Sequence, residues 1–352
     1  MPSMVRQPQE IQTLYAELSE RLAAYEAARS FSSLKGSFAT KRVSGASYWY
    51  FRTSETASGQ REYSVGPDTP ATRSVIEAYQ KGRAEVEEVE AAITRLCAML
   101  RQGGAMLTDT VSAKVISGLS SAGVFQLGAV LVGTHAFIAL GNVLGVRWQS
   151  GMRTEDIDIL ASPVLEVAVG QIEADLPATL ESLNMGFLPV PGLDSRKPET
   201  SFKVRGKTLR VDLLTPARGK RDGTPVRIPR LKASAQPLEF LDYLLESPVA
   251  VPVVNGGATM VKVPDPARFA LHKLIVSVDR SIAMQSKAGK DRQQAAEMIE
   301  VLLADRPGDI ELAVESINRR GEGWRKKLRD CLDRLPNDLA GAKQKIMKML
   351  AA

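Results

Sequence analysis

Two aspartates separated by one isoleucine stand in the stretch DIDIL, residues 156–160. On a strand, residues i and i+2 point to the same face, so Asp156 and Asp158 would converge while Ile157 and Ile159 face a core. Two neighbouring carboxylates repel each other unless a cation lies between them. Mg²⁺ prefers carboxylates together with phosphate and water oxygens. The pair alone is a weak signal, compatible with a metal site or with a solvated acidic pair at a strand edge.

A third carboxylate, Asp212, lies alone in the apolar stretch TLRVDLLTP. An ionised aspartate is seldom buried in a strand unless it is paired or bound to a metal. If its strand lies beside that of Asp156 and Asp158, three carboxylates meet. The alternative is an ion pair with Arg210, which would share its face.

A strand-to-helix turn precedes these acids in VLVGTHAF, residues 130–137. Glycine at position 133 lets the backbone approach a ligand closely, and a helix beginning at Thr134 offers free amides to phosphate. Such turns are common, so the turn alone is a weak signal. His135, the next residue, could contact phosphate or simply pack or form a cap.

Positive charge is concentrated in one segment. The whole chain of 352 residues has a formal charge of +6, whereas residues 194–232 contain twelve Lys/Arg against four Asp/Glu. A local field of this sign favours a polyanionic partner such as nucleotide phosphates or nucleic acid. A solvated basic loop is the alternative.

The elements needed to position these residues divide the chain into three predicted parts. Residues 1–105 read as a helix, a small antiparallel sheet around Tyr48-Trp49-Tyr50, and a long charged helix. Residues 106–264 alternate helix and strand, with LEFLDYLLE (238–246) helix-like, and residues 265–352 are helical. The aromatic strand suits nucleic-acid stacking or the packing of a small sheet.

The order of these motifs resembles the nucleotidyltransferase superfold of the DNA polymerase β type. The stretch GTHAFIALGNVLGVRWQSGMRTEDIDI is similar to bacterial nucleotidyltransferase-fold proteins that share GTHAF, LGVRW and TxDID. Thr134 stands where the superfamily usually has serine. The resemblance covers about residues 107–305 and implies an α+β fold: a mixed sheet with an N-terminal helix and β-hairpin module and a helical C-terminal domain.

The C-terminal part is similar to abortive-infection nucleotidyltransferase toxins, which carry a Lys…Arg helix followed by a Lys-Asp helix. Here Lys273 and Arg280 are seven residues apart, and Lys290-Asp291 is predicted to open the next helix. The resemblance implies that Lys273 and Arg280 face the triphosphate. Asp291 is open to a second interpretation, since a helix N-terminus favours an acid through its dipole.

The activity implied by the resemblance is transfer of an NMP from an NTP to an acceptor hydroxyl, with release of pyrophosphate. Asp156, Asp158 and Asp212 would hold two Mg²⁺ ions, with Mn²⁺ as an alternative. Gly133 and Thr134 would hold phosphates. Arg147, beside Trp148, could clamp the base, although Trp148 could equally pack in the core.

Three functions are compatible with these residues. The first is a nucleotidyltransferase acting on nucleic acid, such as a tRNA end, through segment 194–232. The second acts on a protein or small molecule, and the third is a non-catalytic module that binds nucleotides or nucleic acid. Polar residues and glycines interrupt the uncharged stretch 115–146, so no membrane span is expected. Two isolated cysteines and a start without an apolar signal core predict a cytoplasmic protein.

Overall fold

The computed structural model describes residues 4–27, 36–43, 46–53, 62–149, 154–163, 174–192, 194, 196–217, 223–279, 285–335 and 340–351. The helices in these ranges are α1 (Gln9–Ala27), α2 (Pro70–Gln102), α3 (Thr110–Ser121), α4 (Gly133–Val143), α5 (Leu176–Ser182), α6 (Pro266–Asp279), α7 (Gln285–Asp305), α8 (Pro307–Arg319), α9 (Glu322–Leu332) and α10 (Ala340–Ala351). None of the described helices is long and apolar enough to cross a membrane.

The described strands are β1 (Met4–Arg6), β2 (Gly36–Val43), β3 (Ala46–Thr53), β4 (Glu62–Pro67), β5 (Val130–Val132), β6 (Val146–Trp148), β7 (Asp156–Leu160), β8 (Phe187–Pro189), β9 (Ser201–Val204), β10 (Arg210–Pro216), β11 (Val226–Ile228), β12 (Ala233–Leu238), β13 (Val249–Val254) and β14 (Ala258–Val263). Helices and a mixed sheet alternate through the middle of the chain. The predicted α+β class is confirmed.

A seven-stranded sheet organises the centre of the molecule. Its main path runs β11-β12-β10-β7-β5. Strand β9 pairs with the beginning of β10, at residues 210–212, and β8 pairs with β9. Strand β10 is parallel to β7 and to β12, whereas β5 and β9 run antiparallel to their neighbours. On β7, Ile157 and Ile159 are fully buried and both aspartates point to the opposite face, as expected for alternation along a strand.

The N-terminal part combines α1, α2 and the sheet β2-β3-β4. Thr69 caps α2 and Pro70 opens it, as is common for these residue types at a helix start. Phe38, Phe51 and Tyr79 form a ring cluster between this small sheet and α2, with ring centroids 5.1–5.5 Å apart. An aromatic core therefore holds the small sheet to the helix.

Strand β1 was not foreseen from the sequence. It pairs antiparallel with β6, with Val5 opposite Arg147. The buried Gln7 side chain donates to Asn142 at 2.9 Å and to the backbone oxygen of Val146 at 3.1 Å. The beginning of the chain is thus hydrogen-bonded to the central part.

Two local predictions are wrong. The stretch 238–246 is not an α-helix: strand β12 ends at Leu238, Phe240 has a left-handed φ of 66°, and a short 3-10 turn covers Leu241–Leu245. Lys290-Asp291 does not open a helix, because α7 begins at Gln285. The helix-dipole interpretation of Asp291 therefore fails, since the dipole effect is confined to the first turn.

Candidate active site

Three carboxylates, Asp156, Asp158 and Asp212, are brought to one face of the central sheet, and we call them the carboxylate triad. In the parallel pairing of β10 with β7, Asp212 is directly opposite Asp158 and Arg210 is opposite Asp156. Val132 is opposite Asp158 on its other side. Side chains paired across a sheet point to the same face, so the register sets two acids beside each other and the Gly-Thr turn beside them.

Gly133 begins α4 directly beside the triad. Its φ is +69°, and a β-carbon at this position would overlap the Asp158 carboxylate. Only glycine combines this backbone conformation with such a close approach. Thr134 is buried in the first turn of the helix. The N-terminus of α4 therefore lies beside the Asp158 carboxylate. Free backbone amides at a helix N-terminus are a common binding site for phosphate.

A cavity of about 510 Å³ opens over the triad, and we call it the triad cavity. Gly133 and all three triad carboxylates line it on the sheet side. Lys273, Lys287 and Asp291 line it from the C-terminal helices, and its apolar wall includes Phe240 and Phe269. A cavity with acids on one wall, lysines on the opposite wall and aromatic rings beside them suits a metal-bound nucleotide.

The electrostatics of Asp158 are unfavourable for an ionised acid. Burial, followed by the charges of Asp212 and Asp156, raises its pKa to about 6, and the positive charges of Lys273 and Lys287 oppose the shift. A carboxylate held against like charges gains from any cation that binds between them. Asp156 is more exposed and lies 3.7 Å from the ammonium of Lys287.

The sequence left open whether Asp212 joins the other two carboxylates or forms an ion pair with Arg210, and the structure shows both. Its carboxylate is on the triad face, and it also accepts a hydrogen bond from Arg210 Nε at 2.6 Å. The Ser201 hydroxyl donates to the same oxygen. Across the described residues, no three Asp, Glu, His or Cys side chains stand at metal-binding spacing, and Asp212 is held by Arg210 instead. The donor set fits a hard cation, provided that Asp212 exchanges Arg210 for it.

Lys273 lines the triad cavity and is buried. Its ammonium is 2.8 Å from the Asp291 carboxylate. This pair joins α6 to α7 at the cavity wall, which gives Asp291 a defined role as the partner of a buried cation. Arg280, the other basic residue predicted for phosphate, lies outside the described residues.

Arg147 and Trp148 differ in their surroundings. The Trp148 ring is buried and stacks on Phe137 with centroids 4.6 Å apart, and its Nε1 donates to the Phe137 backbone oxygen at 2.7 Å. Core packing of Trp148 is confirmed. Arg147 is exposed on β6, and a β-carbon on Gly104 would approach its guanidinium to 3.0 Å. Arg147 is not among the residues that line the triad cavity.

His135 faces a second cavity rather than the triad cavity. This larger cavity, of about 1180 Å³, lies between α3, α4 and the strands β8 and β9, and we call it the His135 cleft. Burial lowers the pKa of His135 to about 4, so its imidazole is neutral at pH 7. A neutral imidazole would exert little attraction on a phosphate at the neighbouring Gly133 turn.

The family model of nucleotidyltransferases matches residues 110–318, more than half of the chain. The chain belongs to this nucleotidyltransferase family. The matched range contains the triad, the Gly133 turn, Lys273 and Lys287. No curated protein matches the chain.

The chain is similar to the solved structure of an antigenic nucleotidyltransferase-like protein from Paracoccidioides brasiliensis. It is 16% identical, with 67% of this chain and 94% of that chain covered, at a TM-score of 0.35. A likeness at this level adds nothing to the family assignment, which rests on the sequence match.

Lys287 is the main site residue that the sequence did not single out. It lies four residues before Asp291 on α7, so the two share a helix face. That spacing was available in the sequence, but α7 was expected to begin only at Lys290. The aromatic wall at Phe240 left no such signal, because its position depends on the left-handed turn after β12.

Proposed function

We propose that this chain moves a nucleoside monophosphate from an NTP to an acceptor hydroxyl, with Mg²⁺ at the carboxylate triad. One observation carries the proposal. Asp212 and Asp158 are paired in register on neighbouring strands, and they lie beside Gly133, a position with no room for a side chain. Family membership gives this arrangement its chemical context.

Divalent cations suit the triad on the chemistry of its donors. All three side chains offer carboxylate oxygens, which are the ligands that Mg²⁺ and Mn²⁺ prefer. Burial, together with the charges of Asp212 and Asp156, raises the pKa of Asp158, so a cation bound beside it would favour its ionised form. When bound, two such ions would stabilise the attacking and leaving oxygens.

The chain's own residues would position the reactants. The amides at the start of α4 would hold the triphosphate, and Lys273 and Lys287 would face it from the opposite wall of the triad cavity. The acceptor oxygen bonds to the α-phosphorus, the bond from that phosphorus to the β-phosphate oxygen breaks, and pyrophosphate leaves with the electron pair. The acceptor proton passes to Asp212 or to water.

For the acceptor, we propose nucleic acid such as a tRNA end. Residues 194–232 contain twelve Lys/Arg against four Asp/Glu and include Asp212 itself. A positive charge of this kind would favour a polyanionic acceptor at the carboxylate that the acceptor hydroxyl must approach. An enzyme for cationic small molecules would favour an acidic surface at this point, and the local charge has the opposite sign. Kinship with abortive-infection toxins, a bacterial source and a cytoplasmic location remain predictions from sequence.

The test is incorporation of label from each α-labelled NTP into RNA or lysate in the presence of Mg²⁺. Asp156→Asn/Asp158→Asn is compared with Glu85→Gln/Glu88→Gln, which makes the same charge change at two exposed positions on α2. We expect label with the wild type and the α2 control, and at least a hundredfold less with the triad variant.

Equal labelling by the triad variant would refute catalysis by these carboxylates. Label found on protein or on a small molecule, with none on RNA, would replace the nucleic-acid acceptor by the alternative class. NTP binding without any transfer by the wild type would favour a non-catalytic nucleotide-binding module.

A further inference from the structure

The His135 cleft has the shape and chemistry of a second ligand site. Its walls include the apolar side chains of Leu107, Val111, Ile138 and Leu188. Leu188 is 52% exposed. Polar side chains share the lining, among them the acids Asp109 and Glu155. A cavity of this size that combines apolar walls with polar groups is typical of a ligand site.

His135 is the polar group of this cleft that lacks a partner. The residue is 1% exposed, and neither ring nitrogen has a hydrogen-bond partner in the described part of the chain. Buried polar atoms are nearly always hydrogen-bonded, and an exception requires an explanation. A neutral imidazole presents one donor and one acceptor on different sides of the ring, so one of its nitrogens can bond to a single polar atom on the edge of a ligand.

One row of paired residues runs across the sheet from the wall of the cleft to the triad. Asp156 is opposite Arg210, Arg210 is opposite Lys203, and Lys203 is opposite Leu188. Paired residues point to the same face, and neighbouring strands are about 4.8 Å apart. Lys203 thus lies about two strand spacings, or about 10 Å, from Asp156, a distance that a nucleoside seated between them spans.

The rim of the cleft beside this row is basic. Lys203, Arg205 and Lys207 surround the turn between β9 and β10, and all three are exposed. None of them forms an ion pair with another described residue. Exposed, unpaired cations beside an apolar cavity fit a ligand with a flat ring and a phosphate chain.

We propose that the His135 cleft seats the terminal nucleoside of a single-stranded nucleic-acid acceptor. The base lies against the apolar walls with its edge hydrogen-bonded to His135, the preceding phosphates lie on Lys203, Arg205 and Lys207, and the terminal hydroxyl faces Asp156 and Asp212. This inference rests on the proposed function and assigns the acceptor a position separate from that of the NTP.

The test measures binding of fluorescent single-stranded RNA oligonucleotides to the full chain without Mg²⁺ or NTP. We expect His135→Phe to weaken binding at least tenfold while binding of the nucleotide to the triad cavity, followed with a labelled NTP analogue, stays within twofold. An oligonucleotide with an abasic terminal nucleotide should bind the wild type as weakly as the intact one binds His135→Phe.

Two triple variants that each remove three positive charges test the basic rim of the cleft. Lys203→Ala/Arg205→Ala/Lys207→Ala should weaken binding at least tenfold and reduce the salt dependence by about 2 in log–log slope, at about 0.7 per lost phosphate contact. The control, Lys326→Ala/Lys345→Ala/Lys348→Ala, removes the same charge from exposed positions on α9 and α10 and should stay within twofold.

Wild-type affinity in His135→Phe together with equal binding of the abasic oligonucleotide would overturn the proposal. If His135→Phe fails to fold, Leu188→Ser at the exposed wall and the abasic ligand still decide it. Failure of the proposed function has a different signature, namely intact oligonucleotide binding in the cleft with no NMP transfer. NMP transfer to protein without any oligonucleotide binding would refute acceptor binding in the His135 cleft, while the proposed transferase activity would remain supported.

Discussion

The most direct physical test of the triad is the replacement Asp158→Asn. The raised pKa of Asp158 means that the ionised carboxylate is less stable in the folded chain than in the unfolded one. Its pKa moves from 3.8 to about 6. At about 1.4 kcal/mol for each pKa unit, this shift corresponds to about 3 kcal/mol above pH 6. An amide of the same shape has no such charge, so Asp158→Asn should raise the free energy of unfolding by up to about 3 kcal/mol.

The dependence of this gain on pH follows from the sign of the shift. A raised pKa in the folded state means that the folded chain binds the proton more tightly than the unfolded chain. Stability associated with the protonated carboxyl is therefore complete below about pH 4 and is lost as the pH rises through about 6. The difference between Asp158→Asn and the wild type should be absent at pH 4 and reach its full size by pH 7–8.

Urea unfolding in EDTA and in Mg²⁺ provides the measurement. In EDTA at pH 8 the variant should be more stable than the wild type. Mg²⁺ at a hundred times its dissociation constant should stabilise the wild type by about 2.7 kcal/mol and the variant far less. Asp330→Asn, at an exposed position on α9, makes the same charge change and should stay within about 0.5 kcal/mol. A variant no more stable than the wild type in EDTA would refute this account of Asp158.

Three further substitutions test the rest of the site. Gly133→Ala sets a methyl group against the Asp158 carboxylate at a φ of +69°, and should reduce NMP transfer at least a hundredfold and the free energy of unfolding by more than about 1 kcal/mol. Lys273→Met removes the ammonium that pairs with the buried Asp291 carboxylate and should lower the free energy of unfolding, measured in urea, by about 3–5 kcal/mol. The double variant Lys273→Met/Asp291→Leu should recover most of that stability and no activity. Lys287→Ala removes a side chain that is 60% exposed, and should raise KM for the NTP while stability changes by less than about 0.5 kcal/mol.

Local patterns in the sequence were sufficient to predict the strand of Asp156 and Asp158 and the strand-to-helix turn at Gly133. Alternation of acids and isoleucines fixes the faces of β7 without reference to any other strand. Local patterns could not predict that β7 and β10 are neighbours, because more than fifty residues separate Asp158 from Asp212. No local propensity encodes that pairing, and the family resemblance supplied it.

The failures have physical causes that a single sequence hides. Strands β1 and β6 contain three residues each and exist because they pair with each other, so neither has a periodicity of its own. In LEFLDYLLE the apolar spacing suits a helix, but β12 pairs with β10 up to Leu238. Phe240 then turns left-handed, and this tertiary pairing overrides the local preference.

The charges of the triad cavity come from two separate stretches of the chain. Strands β7 and β10 supply the carboxylates, whereas α6 and α7 supply Lys273 and Lys287. The acids alone repel each other, and Lys273 depends on Asp291 for its burial. A nucleotide with its metal ions would carry the opposite charge towards each wall: cations to the acids and phosphates to the lysines. On the proposed function, the helices after residue 264 would form part of the nucleotide site, because the sheet alone lacks the wall of lysines that would face the phosphates.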